Sequence, residues 1–186
     1  MTKSIVISGP PAVGKTTVAK GLAEEFQLTY LSGGDVLKKM AKEQGFDSEG
    51  DDWWDTEEGM KFLAQREENY EFDKKLDEKL TSLFNQGSMV ITSYTLPWLV
   101  KDGIKIWLEG SHASSTKRMQ TRDNMSSNEA YEVTKERFDK NKALYKNLYD
   151  FDFGDDKSVF DVIINTNNLT AQQVIDVAKE TVRKLL

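Results

Sequence analysis

The chain contains no cysteine, and it has only three prolines and one histidine among its 186 residues. Without cysteine it can form neither a disulfide framework nor a thiolate metal site. No apolar run approaches the roughly 18 residues that a membrane-spanning helix needs. The short apolar segment near the N-terminus is interrupted by Gly9, Pro10 and Pro11. These absences predict a cytoplasmic protein without a signal peptide or a membrane anchor.

Positive charge is also scarce. Lys and Arg together number 25 against 31 Asp and Glu, which gives a net charge of −6. Duplex nucleic acid is bound mainly by neutralising its phosphates, so this balance argues against nucleic acid as a partner. A phosphorylated small molecule needs only a local cluster of positive charge. The length and the hydrophobic content of 38% suit one globular domain, residues 1–186.

Five short segments have the pattern of β-strands and alternate with longer helical patterns. Ile5-Val6-Ile7 and Val162-Ile163-Ile164 are continuous apolar runs, which is typical of parallel strands buried on both faces. The alternation predicts a three-layer α/β fold with a five-stranded parallel sheet and helices on both faces. The predicted strands are residues 4–8, 29–31, 89–93, 104–108 and 159–165.

A phosphate-binding motif joins the first predicted strand to the first predicted helix. Residues 9–16 read G-P-P-A-V-G-K-T and fit G-x-x-x-x-G-K-[ST] without a mismatch. Glycines let the backbone turn tightly, and the loop amides point at the anion. We expect Lys15 to reach the β- and γ-phosphates of ATP and Thr16 to coordinate Mg²⁺. The other residues expected to contact the nucleotide are Gly9, Pro10, Pro11, Ala12, Val13, Gly14 and Thr17.

Two regions interrupt the regular alternation. Residues 33–87 place three helical patterns between the second and third strands, where an α/β protein builds its acceptor-binding region. Residues 112–150 form a charged arm that we interpret as a lid. The predicted helices are residues 15–26, 35–44, 57–69, 71–85, 112–122, 126–149 and 171–186.

Four segments, in order along nearly the whole chain, resemble the archaeal-type cytidylate kinases, a family of P-loop nucleoside monophosphate kinases. They are I-S-G-P-P at 7–11, L-S-G-G-D at 31–35, I-K-I-W-L at 104–108 and D-V-I-I-N-T at 161–166. The resemblance implies a phosphotransferase that uses ATP and Mg²⁺. It further implies a small-molecule acceptor, with CMP or dCMP first among the candidates. Oligomeric state is left open between monomer and homodimer.

The resemblance also implies roles for charged residues. Asp35 would help to hold Mg²⁺ through its waters, although it could equally cap a helix. Arg118 would stack on the adenine, Arg122 would meet the phosphates, and Arg137 would clamp the transferred phosphoryl group. The alternative for the arginines is a solvated helix face. The chain has only five arginines, however, and three of them lie in this arm.

Three further residues take their expected roles from the same resemblance. Asn165 and Thr166 follow the last strand, where similar kinases wrap a loop around the adenine. Asp73, which shares an acidic pattern with Asp77, is a candidate contact to the acceptor base. Its alternative is an ordinary surface charge.

The sequence departs from the family at the acceptor side. Lys38 and Leu144 stand where similar kinases carry arginine, and Thr92-Ser93-Tyr94 stands in place of E-G-R. We still expect Lys38, Ser93 and Tyr94 to line the acceptor site. The lost arginines leave two alternatives open: a less anionic acceptor, such as a nucleoside or another hydroxyl compound, or a nucleotide-binding protein with little transfer activity.

Two adjacent tryptophans lie within the expected insert. Trp53 and Trp54 could stack on an acceptor ring, since aromatic faces suit planar bases. We favour the alternative, in which one of them packs among the inserted helices.

Overall fold

The computed structural model describes residues 2–46, 53, 57–68 and 70–186. A five-stranded sheet has the order β2-β3-β1-β4-β5, and every neighbouring pair is parallel. The predicted α/β fold is therefore confirmed. The strands are β1 (Ile5–Ser8), β2 (Thr29–Ser32), β3 (Met89–Thr92), β4 (Ile104–Glu109) and β5 (Val162–Asn165).

The helices follow the predicted pattern closely. Those at Lys15–Phe26 and Glu71–Asn85 begin and end at the predicted residues, and the other predicted helices agree within two residues. The helices are α1 (Lys15–Phe26), α2 (Gly33–Glu43), α3 (Glu57–Glu68), α4 (Glu71–Asn85), α5 (Leu96–Leu99), α6 (His112–Asp123), α7 (Ser127–Tyr149) and α8 (Ala171–Leu185).

Two differences from the sequence prediction, a missed helix and a late strand start, have identifiable reasons. Helix α5 was missed because it spans only four residues and carries Pro97 in its first turn. Strand β5 begins three residues later than expected. The Asp161 carboxylate accepts a hydrogen bond from Lys105 N at 2.8 Å, so a side chain occupies the position where the strand ladder would otherwise begin.

Both faces of the sheet are covered, which explains the continuous apolar run in β1. Ile5 and Ile7 pack against α1 and α8, whereas Val6 faces the opposite side and packs with α4 and α5. All three side chains are fully buried. Trp53 belongs to the second of these clusters, with its ring 5.6 Å from that of Phe62, so the favoured interpretation is confirmed for Trp53. Trp54 lies outside the described residues.

A third cluster is almost entirely aromatic, and we refer to it as the aromatic cluster. It joins the C-terminal part of α7 to the segment that follows α7. Trp98 stacks on Phe151 with the ring centroids 4.2 Å apart and the planes at 2°. The cluster therefore fixes the end of α7 against the sheet. Its members are Trp107, Leu144, Tyr145, Phe151 and Phe153, with Tyr70, Tyr94, Trp98, Phe138, Tyr149 and Phe160 packed around them.

Within the described residues, no helix has both the length and the apolar character that crossing a bilayer requires.

Candidate active site

A cavity of about 680 Å³ lies at the carboxyl ends of β1, β2 and β3. This is the edge of a parallel sheet at which ligands are usually bound. Most of the residues singled out from the sequence meet there. They are residues 12–17 of the P-loop and α1, together with Asp35, Asp73, Ser93, Tyr94, Arg118 and Arg137.

Two glycines give the P-loop its shape. Gly9 has φ 149°, and a Cβ at this position would collide with the carbonyl oxygen of Leu108 in the neighbouring strand. Gly14 has φ 99° and is the N-cap of α1. Both positions are in the left-handed region, where glycine carries no steric penalty. The loop thus brings its amides and the α1 N-terminus to the cavity.

Lys15 is held by main-chain oxygens and by an aromatic ring. Its ammonium donates to Gly9 O at 2.9 Å and to Pro10 O at 2.7 Å. It also lies 4.7 Å from the centroid of the Tyr94 ring. Burial lowers the pKa of Lys15, and the nearby Arg137 lowers it further, while Tyr94 opposes the shift. Lys15 and Arg137 therefore share the same part of the cavity.

Thr16 and Asp35 place two oxygen donors on the same cavity. Ser32, not Asp35, caps α2, because Asp35 N donates to Ser32 Oγ at 3.2 Å. The Asp35 carboxylate is therefore available in the first turn. A hydroxyl and a carboxylate are hard oxygen donors, which suits Mg²⁺ bound through few protein groups and several waters. In the described ranges there is no cluster of three or more acidic or histidine side chains that could form an all-protein metal cage.

Arg118 connects the lid region to the loop after β5. Its Nη2 donates to Thr166 O at 2.9 Å and to Thr166 Oγ1 at 3.2 Å. Thr166 is buried and also donates to Glu109 O at 3.0 Å, so it reaches the site through Arg118 and is not itself a cavity-lining residue. Asn165 is exposed, and its side chain accepts from Asn167 N at 3.0 Å. The side chain of Arg122 lies outside the described residues.

The two prolines of the P-loop face a different space. Pro10 and Pro11 line a smaller cavity of about 240 Å³, on the side of the loop where Trp107 and Phe138 lie. Any contact that they make with a nucleotide in the larger cavity would therefore involve their backbone.

Two buried carboxylates of α4 line the larger cavity, and we refer to this part of it as the acceptor end after the role expected from the sequence. Asp73 and Asp77 project from α4, and their residues are only 2% and 3% exposed. Asp77 accepts hydrogen bonds from Thr95 Oγ1 at 2.5 Å and from the Tyr149 hydroxyl at 2.8 Å. Burial raises the pKa of Tyr149, and the adjacent Asp77 carboxylate raises it further. Asp77 thus ties α4 to the β3–α5 loop and to the end of α7.

The cationic residues of the cavity are distributed unevenly. Among the described lining residues, the cations are Lys15 and Lys20 of α1, Arg118 of α6, and Arg137 and Lys140 of α7. Helices α2 and α4 contribute carboxylates and no cation to the described lining, whereas α7 adds Glu136 beside its two cations. Lys38 is not among the lining residues. Sequence reasoning overlooked Lys20 and Lys140 because a lysine on a charged helix carries no signal of its own.

Sequence reasoning also missed neutral lining residues. Thr95, Asn141 and Tyr145 line the acceptor end, together with Leu144, which stands where similar kinases carry an arginine. Asn141, Leu144 and Tyr145 have the i, i+3, i+4 spacing of residues on one helix face. The helical pattern of α7 could therefore have grouped them.

A profile of the cytidylate kinase-like family matches residues 4–168. The chain belongs to this family. It is 33% identical over 173 residues to a cytidylate kinase of Sulfurisphaera tokodaii, covering 91% of this chain and 89% of the relative. It is 29% identical to a cytidylate kinase of Methanocaldococcus jannaschii, covering 97% and 98% of the two chains. A cytidylate kinase-like chain with this site is an ATP-dependent phosphotransferase.

Solved structures agree on the fold. A protein of Eubacterium ventriosum superimposes with a TM-score of 0.69 at 21% identity, covering 100% of this chain and 98% of that one. A shikimate kinase from Acinetobacter baumannii superimposes with a TM-score of 0.61 at 18% identity, covering 100% and 93%. At such low identity these likenesses show a shared fold and nothing more.

Proposed function

We propose that this protein transfers the γ-phosphoryl group of ATP to CMP or dCMP in the presence of Mg²⁺. The observation that carries the proposal is the continuity of one cavity. Lys15 and Thr16, the buried carboxylates of α4, and Arg118 and Arg137 all line the same cavity. The named relatives that cover nearly the whole chain support the choice of CMP.

Catalysis here is a matter of positioning and charge, because phosphoryl transfer asks little covalent chemistry of the protein. The P-loop amides would bind the β- and γ-phosphates. The Lys15 ammonium would exchange its bonds to Gly9 O and Pro10 O for bonds to phosphate oxygens. Arg137, which lies close enough to lower the pKa of Lys15, would stabilise the charge on the group in transfer.

The divalent cation would be held by Thr16 and Asp35, the two hard oxygen donors on the donor side of the cavity. When bound, it would neutralise phosphate charge and orient the triphosphate. Arg122 joins Arg118 and Arg137 as a proposed lid arginine.

The acceptor base is proposed to meet α4. A carboxylate accepts hydrogen bonds and donates none, so Asp73 suits a base that presents an amino group at its edge. Cytosine has such an exocyclic amine, whereas uracil has a carbonyl at the same place. Ser93 and Tyr94, which follow β3, line the same cavity, and Ser93 N donates to Ile7 O beside the P-loop.

The decisive experiment is coupled detection of ADP release with ATP and Mg²⁺ across a panel of acceptors. The panel contains CMP, dCMP, UMP, AMP, GMP, free nucleosides and shikimate-like alcohols. We expect turnover on CMP and dCMP well above that on UMP. The matched control is Lys15→Ala, in which every acceptor-dependent signal should vanish. Silence on all monophosphates by a protein that still binds ATP would overturn the proposal.

A second candidate is a kinase for a less anionic acceptor, and the uneven charge of the cavity favours it. A monophosphate must sit close to the γ-phosphate, and bidentate arginines usually offset the repulsion. Here α4 supplies the carboxylates of Asp73 and Asp77, and the described lining residues of α2, α4 and the β3–α5 loop include no arginine. Turnover on a nucleoside or a polyol, with none on monophosphates, would select this candidate over CMP.

A further inference from the structure

The ammonium of Lys15 is partly buried and has two kinds of partner. It donates two hydrogen bonds to main-chain carbonyls, and it lies 4.7 Å from the centroid of the Tyr94 ring, with the Tyr94 hydroxyl close enough to oppose the lowering of the Lys15 pKa by burial. A cation within about 6 Å of an aromatic centroid is attracted by the negative face of the ring. Among the described residues, no carboxylate lies within ion-pair distance of Lys15.

The residues at the end of β3 explain why no carboxylate of this strand lies beside Lys15. This strand runs beside β1, with Ile7 in register with Thr92. A residue at or just after the end of β3 therefore lies against the start of the P-loop. The strand ends with Thr92, which offers no charge, and Tyr94 follows two residues later.

The ring of Tyr94 is held in place from two sides. Its backbone carbonyl accepts a hydrogen bond from Ser8 Oγ at 3.4 Å, so it is tied to the last residue of β1. Its ring meets Phe153 edge-to-face at 5.4 Å and 88°, and Phe153 is fully buried. Phe153 of the aromatic cluster therefore restricts the movement of the Tyr94 ring beside Lys15.

We infer that Tyr94 is a positioning residue for Lys15, and that its aromatic face does the work of the carboxylate that β3 lacks. A ring face attracts the ammonium without adding a negative charge. The full charge of Lys15 then remains available to the β- and γ-phosphates, and no fixed anion repels the incoming triphosphate. The sequence had placed Tyr94 on the acceptor side, whereas the geometry assigns it to the donor side as well.

This inference rests on the proposed binding of ATP at the P-loop, but not on the identity of the acceptor. The test is therefore equilibrium binding of a fluorescent ATP analogue, mant-ATP, with Mg²⁺ and without any acceptor. We expect Tyr94→Phe, which keeps the ring and removes the hydroxyl that also interacts with Lys15, to bind within about twofold of the wild type. We expect Tyr94→Leu, which removes the ring, to bind about tenfold more weakly.

A double-mutant cycle distinguishes this role from general packing. In a Lys15→Met background, Tyr94→Leu should cause no further loss of mant-ATP affinity, because the group that it positions is gone. The matched packing control is Phe160→Leu. Phe160 belongs to the same cluster and contacts Trp98 and Trp107, but it does not contact Lys15. This variant should lose stability while it keeps its affinity for mant-ATP.

Three results would overturn the inference: wild-type affinity in Tyr94→Leu, equal losses in Tyr94→Phe and Tyr94→Leu, or an equal loss in Phe160→Leu. Should the leucine variant fail to fold, Tyr94→Met takes its place, since it retains apolar volume without a ring. Equal binding by the wild type and Lys15→Met would instead contradict the P-loop mechanism itself. Failure on CMP with normal mant-ATP binding would contradict only the proposed acceptor.

Discussion

The two ends of the cavity are built in different ways. The donor end comes mainly from a continuous stretch, residues 12–17, whose main-chain amides would supply most of the proposed contacts to phosphate. The acceptor end is assembled from α2, α4, the β3–α5 loop and α7, which are far apart in the sequence. Its character depends on side chains such as Asp73 and Asp77. The donor end can therefore keep the family pattern while the acceptor end diverges from it.

Loss of Lys15 tests the donor end and should have the largest effect. Lys15→Ala removes the one lysine that reaches from the P-loop into the phosphate site, so turnover should fall by at least about 100-fold. Steady-state ADP release measures the loss, and circular dichroism checks that the fold is intact. The control is Lys20→Ala, because Lys20 lines the same cavity from the same helix but is exposed. An equal loss in the control would mean that only the local charge matters.

A change at Asp73 tests the acceptor end separately. Asp73→Asn keeps the shape but replaces a charged acceptor by an amide, so the KM for CMP should rise by about tenfold. The KM for ATP should stay within about twofold, because the donor end is untouched. Glu71→Gln, on the exposed side of the same helix, is the matched control. Parallel increases in both KM values would show that the two ends are not independent.

The hydrogen bond from the Tyr149 hydroxyl to Asp77 holds α4 to the end of α7 and so stabilises the acceptor end. Tyr149→Phe leaves a buried carboxylate with one donor fewer, which should cost about 1–3 kcal/mol in the free energy of unfolding. The pKa of Tyr149 is raised in the fold, so its stabilisation is complete below the ordinary tyrosine pKa of about 10 and is lost as the pH rises above it.

Urea unfolding at two pH values measures both effects. The gap between wild type and Tyr149→Phe should be wide near neutral pH and narrower in alkaline solution, where the unfolded chain ionises first. Tyr131→Phe, at a tyrosine that is 44% exposed, serves as the control. A gap that stays constant with pH would contradict the assigned bond.

An exposed ion pair on α7 should have the smallest effect. Lys135 and Asp139 approach to 2.6 Å, yet both side chains are 55% exposed. Lys135→Ala should leave the free energy of unfolding and both KM values essentially unaltered, because water screens an exposed ion pair. A larger change in the KM for CMP alone would extend the acceptor end further along α7 than the cavity lining indicates.

The sequence predicted most of the fold because its signals are local. The apolar run in β1, the P-loop and the helical periodicities each lie within about 25 residues, in line with typical helix lengths. Helix α5 was not predicted, because a single turn that contains Pro97 shows too little periodicity to recognise. The signal for the donor end is also local, because the P-loop motif specifies the backbone conformation that lines this part of the cavity.

Contacts between distant residues were beyond sequence reasoning. Tyr149 and Asp77 are 72 residues apart, and neither carries a mark that points to the other. The contact of Tyr94 with Lys15 depends on strand order, since only the pairing of β3 with β1 brings the end of β3 to the P-loop. Once that order is known, Tyr94, two residues beyond the end of β3, is expected to lie near the P-loop.

The aromatic cluster also makes the protein its own optical probe. Two of the four tryptophans, Trp98 and Trp107, lie within it, and Phe153 touches both of them as well as Tyr94. A shift of Tyr94 when Lys15 exchanges its main-chain partners for phosphate oxygens would be passed through Phe153 to these two indoles. The intrinsic fluorescence of the unlabelled chain should therefore report the filling of the proposed phosphate site, which none of the described tryptophans lines.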